Sequence, residues 1–194
     1  TIGAYQVTHQ GKSITFIDTP GHEAFEAMRS RGGQVADIAV LVVAADDSVK
    51  PQTKESIKHI KKAKIPYLVA INKIDVAGAN ATKVKTDLGE QGEYLEGFGG
   101  NIPFVEVSAK TGQGLDKLLE LILLLAELEE LKDTSNKTPS SAVVIEAQMH
   151  PQKGPLATLL IKQGKFTTKD PLYLDTKLVG KVRAILSSGK SVDQ

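Results

Sequence analysis

The chain lacks cysteine and tryptophan altogether, and only 5% of its 194 residues are aromatic. Without cysteine it can form neither disulfide bonds nor thiolate metal sites. The scarcity of aromatic side chains argues against a surface that stacks unpaired bases. Neither sign of charge dominates, since 24 Lys and Arg residues stand against 23 Asp and Glu residues, a net charge of +1. That balance argues against nucleic-acid binding through a strong overall basic field.

Apolar runs long enough to cross a membrane are also missing. The run at residues 121–126, for example, is far too short to span a bilayer. Residues 1–8 have the pattern of a strand and lack the basic-then-apolar order of a signal peptide. We therefore expect a cytoplasmic protein with no membrane partner.

Apolar periodicity divides residues 1–131 into alternating strands and helices. Continuous apolar runs such as residues 38–45 predict strands that are buried on both faces of a parallel sheet. The predicted strands are 4–8, 13–18, 38–45, 67–71 and 104–107, and the predicted helices are 52–64, 80–88 and 115–131. The last helix has one apolar face, formed by Leu118, Leu121, Ile122, Leu125 and Leu128. The alternation predicts an α/β domain with a parallel-rich sheet and helices on both faces.

The pattern changes after residue 131. Residues 132–141 are polar and rich in turn formers, which predicts a linker. Beyond it, short strands are predicted at 142–149, 156–162, 171–175 and 180–186, and no helical pattern appears. We therefore expect two domains, 1–131 and 142–194, of which the second is all-β and too short for a closed barrel.

The first motif whose residues could bind a ligand or take part in catalysis is Asp18-Thr19-Pro20-Gly21-His22, directly after a predicted strand. A carboxylate at the carboxyl end of such a strand lies where α/β folds bind ligands, and it can hold Mg²⁺ through water. The Gly21 N–H can approach a terminal phosphate, and His22 can position an attacking water. An ordinary strand-to-turn transition explains these five residues about equally well.

The second motif is Asn72-Lys73-Ile74-Asp75, at the end of another predicted strand. The Asp75 carboxylate can accept two N–H bonds from one edge of guanine, which adenine does not offer. The side chain of Asn72 can bond the N7 side of the base or brace neighbouring loops, and the stem of Lys73 can lie over the base. The alternative without a ligand is a helix-capping Asn followed by a Lys–Asp pair on the surface.

The third motif, Ser108-Ala109-Lys110, also ends a predicted strand. Its Ala109 N–H can point at the guanine carbonyl oxygen, although alone the tripeptide is better explained as a strand running into a polar loop. The combination is more specific, because three motifs that end strands of one parallel sheet meet at one edge of it.

The three motifs, DTPGH, NKID and SAK, resemble the third to fifth motifs of translational GTPases in wording and in order. The wider stretch from Asp18 to Thr53 and the start of the second domain, Gly154 to Leu174, are similar to bacterial translation initiation factor two. This resemblance implies an incomplete P-loop-type GTPase domain, followed by part of a β-barrel domain.

The resemblance also implies roles for individual residues. Asp18 would contact Mg²⁺ through water, Gly21 would contact the γ-phosphate, and His22 would orient the hydrolytic water. Asn72, Lys73 and Asp75 would hold the guanine of GTP or GDP, and Ser108, Ala109 and Lys110 would close the pocket. The implied partners are both ribosomal subunits and, through domains outside this chain, initiator transfer RNA.

One motif of that family is missing: the sequence contains no G-x-x-x-x-G-K-[ST] phosphate-binding loop. Gly11-Lys12-Ser13 does not supply it, because Gln6 stands where the first glycine belongs and the tripeptide lies in a predicted hairpin. We expect the chain to be a fragment that by itself neither hydrolyses GTP nor binds it tightly. The alternatives are a nucleotide-free ribosome-binding module and a GTPase of ribosome assembly or selenocysteine delivery.

Overall fold

The computed structural model describes residues 4–18, 36–131, 140–152, 154–187 and 190–192. Its internal contacts divide the chain into two units, Thr1–Leu131 and Lys132–Gln194. Most of the predicted linker, residues 132–139, lies outside the described residues. Ser141, which the sequence pattern placed in the linker, is the first residue of a strand.

The first unit contains a hairpin, a parallel sheet and three helices. Its strands are β1 (Ala4–His9), β2 (Lys12–Ile17), β3 (Ala39–Ala44), β4 (Tyr67–Asn72) and β5 (Phe104–Glu106), and its helices are α1 (Pro51–Ala63), α2 (Ala81–Glu90) and α3 (Leu115–Leu128). Strands β3, β4 and β5 are parallel and adjacent in that order. Each of these elements was predicted, with ends that differ by up to three residues.

Strands β1 and β2 form an antiparallel hairpin whose turn is Gln10-Gly11. Both turn residues have positive φ, 48° and 74°, as a two-residue turn of this kind requires. Lys12 and Ser13 belong to β2, and the Lys12 ammonium pairs with Glu127. The hairpin position confirms that Gly11-Lys12-Ser13 is not a phosphate-binding loop.

Alternate residues of β4 face two separate apolar cores. Val69 and Ile71 belong to a core shared with the two helices α1 and α2, through Ile57 and Val84 among others. Leu68 packs on the opposite side against α3, with Ile14 and Phe16 of the hairpin in the same cluster. The sheet therefore has helices on both faces, as predicted.

The apolar face predicted for α3 is only partly buried. Ile122 and Leu125 are in the core, but Leu128 is 71% exposed. The helix ends at Leu128, three residues earlier than the periodicity predicts. Leu128 continues the predicted apolar face but is not buried, because the last turn of the helix extends beyond the apolar cluster under it.

The second unit consists of antiparallel hairpins. Its strands are β6 (Ser141–His150), β7 (Gly154–Gln163), β8 (Pro171–Leu174), β9 (Lys177–Lys181), β10 (Ile185–Ser187) and β11 (Lys190–Val192). They pair as β6 with β7, β8 with β9 and β10 with β11, an arrangement that fits part of a barrel.

The single strand predicted at 180–186 is two strands, β9 and β10. Its interruption coincides with Val182, whose N–H donates to the Asp170 carbonyl over 2.9 Å. The Val182 carbonyl in turn accepts from the Lys169 N–H over 2.8 Å. These bonds tie Val182 to the two residues just before β8. Among the helices of the described residues, none has the length and apolar content needed to cross a membrane.

Candidate functional site

Two of the three predicted polar motifs, those after β4 and β5, meet at the carboxyl edge of the parallel sheet. The first motif follows β2, which pairs with β1 in a separate sheet, so the expectation that all three motifs end strands of one parallel sheet was wrong. Ala44 at the end of β3 is paired in register with Asn72 at the end of β4. The Ala45 N–H donates to the Asn72 carbonyl over 2.8 Å, and the Val107 N–H donates to the Ile71 carbonyl over the same distance. The loops after β3, β4 and β5 are therefore neighbours.

Asn72 joins two of these loops through its side chain. Its Oδ1 accepts the Lys73 N–H at 2.7 Å and the Ala109 N–H at 3.0 Å. Of the two roles open to Asn72, the structure shows the bracing one. The sequence analysis expected the Ala109 N–H to point at a ligand carbonyl. In this structure the N–H donates to Asn72 Oδ1 instead.

Asp75 lies opposite Ser108 across the same two loops. The Ser108 hydroxyl donates to Asp75 Oδ1 over 2.6 Å and accepts the Thr111 N–H over 3.1 Å. Ser108 is completely buried, whereas Asp75 is exposed. A buried hydroxyl that both donates and accepts fixes the carboxylate in place without covering it.

The surroundings of Asp75 keep its carboxyl group ionised. The hydrogen bond from Ser108 lowers the pKa of Asp75 the most, and the positive charge of Lys110 lowers it further. Partial burial acts in the opposite direction but does not prevail. An ionised carboxylate is purely an acceptor, so this group is suited to a ligand that presents N–H donors.

The loop after β5 folds back on the end of its strand. The Ser108 N–H donates to the Gln113 carbonyl and the Gly112 N–H to the Ser108 carbonyl, both over 2.9 Å. Gly114 has φ of 76°, and a Cβ there would lie 2.3 Å from the Glu106 carbonyl oxygen. Only glycine therefore fits at that position, where the loop returns to the end of β5.

Lys73 has two constraints on its conformation. Its backbone has φ of 64°, a left-handed value that is uncommon for a residue other than glycine. Its ammonium group lies 3.1 Å from Oδ2 of Asp46, in the loop after β3. Sequence reasoning missed Asp46, although two consecutive carboxylates, Asp46 and Asp47, directly after a buried strand were a usable signal.

The remaining predicted residues are not brought into this network. Asp18 is exposed and follows β2 directly, and no contact found among the described residues joins it to the other site side chains. Gly21 and His22 lie outside the described residues. Lys110 is exposed in the loop after β5. The described part of the chain contains no group of three or more His, Asp or Glu side chains that could hold a metal ion.

Comparison with known families and proteins identifies relatives of this chain. Residues 1–127 match the elongation factor Tu GTP binding domain. The translation initiation factor IF-2 of Rubrobacter xylanophilus is 54% identical over 95% of this chain, which spans 26% of that protein. The factor of the same name from Clostridioides difficile is 52% identical over 98% of the chain, which spans 29% of it.

Two solved structures are also similar to this chain. The GDP-bound aIF5B of Aeropyrum pernix is 30% identical, with a TM-score of 0.69 over 82% of this chain and 32% of that one. The elongation factor SelB of Methanococcus maripaludis, in complex with the GTP analogue GppNHp, has a TM-score of 0.72 over 99% of this chain and 42% of that one. At 24% identity, SelB shows a shared fold.

The chain thus spans less than a third of the length of the relatives named IF-2. Within that span, the match of residues 1–127 covers the hairpin, the parallel sheet and the loops that meet at its carboxyl edge. The resemblance to bacterial translation initiation factor two is confirmed, and the chain belongs to the elongation factor Tu GTP-binding domain family.

Proposed function

We propose that the protein to which this chain belongs is a translation initiation GTPase, which binds GTP and hydrolyses it on the ribosome. The observation that supports this most directly is the link between the loops after β4 and β5. Asn72 and Ser108 fix the positions of Lys73, Asp75 and Ala109, and Asp75 remains exposed and ionised. A site that is rigid around one accessible carboxylate is suited to recognise a base.

Guanine is the base that this arrangement selects. Its N1–H and 2-amino groups present two donors on one edge, and a carboxylate can accept both. Oδ1 of Asp75 already accepts the Ser108 hydroxyl, and each carboxylate oxygen has more than one acceptor position. Adenine offers no such pair of donors, so its binding would leave the remaining acceptor positions of the carboxylate without partners.

The phosphates and Mg²⁺ would lie toward Asp18. Mg²⁺ commonly keeps several waters and takes one or two carboxylates together with phosphate oxygens, so a single exposed aspartate fits an outer role. Bound there, the metal would neutralise charge on the phosphates. In this proposal Asp18 would hold Mg²⁺ through water, the Gly21 N–H would contact the γ-phosphate, and His22 would orient the hydrolytic water.

The partners are proposed from the relatives named IF-2, which include proteins more than 50% identical to this chain. We propose contact with both ribosomal subunits, placement of initiator transfer RNA through regions outside this chain, and action in the cytoplasm. A delivery GTPase related to SelB shares the fold, but the higher identity to the initiation factors favours initiation. A nucleotide-free ribosome-binding module would retain the fold without need of the Asp75–Ser108 pair.

Titration with labelled GDP, with ATP as the control, tests the proposal. It is carried out on this chain and on a longer version that is extended toward the amino terminus. Because this sequence has no phosphate-binding loop, we expect guanine-selective tight binding only in the longer version. Tight binding or GTP turnover by the 194-residue chain would contradict the expectation for this chain.

Asp75→Asn in the longer version tests the base contact itself. An amide presents one donor and one acceptor, so preference should shift from guanine toward xanthine nucleotides. Asp116→Asn, at the exposed start of α3, is the matched control and should leave the preference unchanged. Unaltered GDP affinity in Asp75→Asn would refute the assigned role, and absence of guanine selectivity in both unmutated versions would favour the nucleotide-free module.

A further inference from the structure

Asp46 is a carboxylate to which the function proposed above gives no role. It follows β3 by two residues, and its side chain is 28% exposed. Its Oδ2 lies 3.1 Å from the ammonium group of Lys73, 27 positions further along the chain. The pair joins the loop after β3 to the loop after β4, at the edge of the sheet where Asp75 is presented.

The contact with Asp46 completes the restraint of Lys73. At the backbone, Asn72 Oδ1 accepts the Lys73 N–H, and the left-handed φ of 64° sets the direction in which the side chain leaves. At the other end, Asp46 holds the ammonium group. A lysine stem has four flexible carbons, and ordering them on binding would cost entropy. A lysine that is fixed at both ends has that cost reduced before the ligand arrives.

We propose that Asp46 is a positioning residue for the guanine pocket: it orients the Lys73 side chain so that the stem can lie along the face of the base. This inference rests on the proposed function and adds a residue to it. Asp46 acts through Lys73, without touching the ligand.

The chain provides a matched control in the next residue. Asp47 is also an aspartate after β3, but it pairs with Lys50 at 3.2 Å, and both of these side chains are more than half exposed. Lys50 is the residue before α1 and lies outside the predicted nucleotide motifs. Substituting Asp46 or Asp47 by Asn removes the same charge from nearly the same place, and only the first removes the restraint on Lys73.

The experiment measures the affinity of Asp46→Asn and Asp47→Asn for guanosine and for GDP in the version that binds guanine nucleotides. Guanosine is uncharged, so its affinity is insensitive to the loss of a distant negative charge. GDP is negatively charged, so the same loss would by itself raise the affinity for GDP. We expect Asp46→Asn to weaken guanosine binding about two- to fivefold, the range that a partly exposed ion pair supplies. Asp47→Asn should leave it unchanged, and both variants should keep the thermal midpoint of the unmutated protein.

A double-mutant cycle separates positioning from a general structural effect. Lys73→Met keeps most of the stem and removes the ammonium group, so Asp46→Asn should have no further effect in that background. A persistent loss there, or equal guanosine affinities for Asp46→Asn and Asp47→Asn, would overturn the role of Asp46. An unmutated protein that does not prefer guanine would instead overturn the proposed function, and with it this inference.

Discussion

The Ser108 hydroxyl both donates and accepts a hydrogen bond, and the proposed base contact depends on both bonds. The O–H donates to Asp75, and the oxygen accepts the Thr111 N–H, so the carboxylate and the loop after β5 share one buried atom. In Ser108→Ala the pKa of Asp75 should rise toward its ordinary value of 3.8, because its largest lowering contribution is removed. Carboxyl ¹³C NMR titration measures this, and Ser56→Ala, on α1, should leave the Asp75 titration unchanged.

The same substitution should change how stability depends on pH. The folded state lowers the pKa of Asp75, so its contribution to stability is present at neutral pH. That contribution is lost as pH falls through the folded-state pKa, below 3.8. Urea unfolding at a series of pH values should therefore show a smaller loss in acid for Ser108→Ala than for the unmutated chain. Parallel curves for the two proteins would show that the Ser108 bond does not determine this titration.

At the scale of the residue, the sequence predicted that the side chains after β4 and β5 would meet, but not which of their atoms are already bonded. Asn72, Asp75 and Ser108 could be found because each follows an apolar run that predicts a strand. The partner of a hydrogen-bond donor cannot be found in this way. The Ala109 N–H donates to Asn72 only because the fold brings two loops together. Asp46 was missed for the same reason, because its partner Lys73 is distant in sequence.

At the scale of the element, α3 shows that apolar periodicity alone does not predict which side chains of a helix are buried. Leu125 and Leu128 lie on one predicted face, yet Leu125 is 8% exposed and Leu128 is 71% exposed. The period of a helix gives the direction of a side chain, but burial also requires a surface opposite that turn. Here the cluster with Leu68 and Ile122 ends at Leu125. The interruption between β9 and β10 likewise coincides with bonds from Val182 to residues that are distant in sequence.

The two leucines of α3 provide an internally controlled stability test. Leu125→Ala should destabilise the first unit by about 2–5 kcal/mol, because it removes buried methyl groups and leaves a cavity. Leu128→Ala should change the free energy of unfolding by no more than about 0.5 kcal/mol, as exposed substitutions commonly do. Urea denaturation monitored by circular dichroism gives both values, and similar losses for the two variants would show that the last turn of α3 is covered in solution.

At the scale of the whole molecule, the two units differ in how much apolar surface they bury. In the first, Leu68, Val69 and Ile71 of β4 are completely buried. In the described part of the second, Ile145 is the one buried apolar residue. Burial is the main term that offsets the entropy lost on folding, so the first unit has the larger margin of stability.

Exposed side chains in the second unit reinforce that difference. Tyr173 and Leu174 of β8 are 60% and 64% exposed, and Leu178 and Val179 of β9 are 54% and 57% exposed. Paired strands without a buried apolar face are marginally stable in water. The fold class of this unit could be predicted from alternation and turn residues, whereas its low burial could not, because burial depends on what lies against each hairpin.

Native-state hydrogen exchange on the intact chain tests this difference directly. Amides of β3 and β4 should exchange only through the largest opening of the first unit, because they lie in a parallel ladder between two apolar cores. Amides of β8 and β9 should exchange through smaller openings and show lower protection. Mild denaturant should lower the protection of β8 and β9 before that of β4 if the units open separately. Equal protection and a common denaturant dependence would instead show that the chain opens as one cooperative unit, and that the exposed apolar side chains of β8 and β9 are covered in solution.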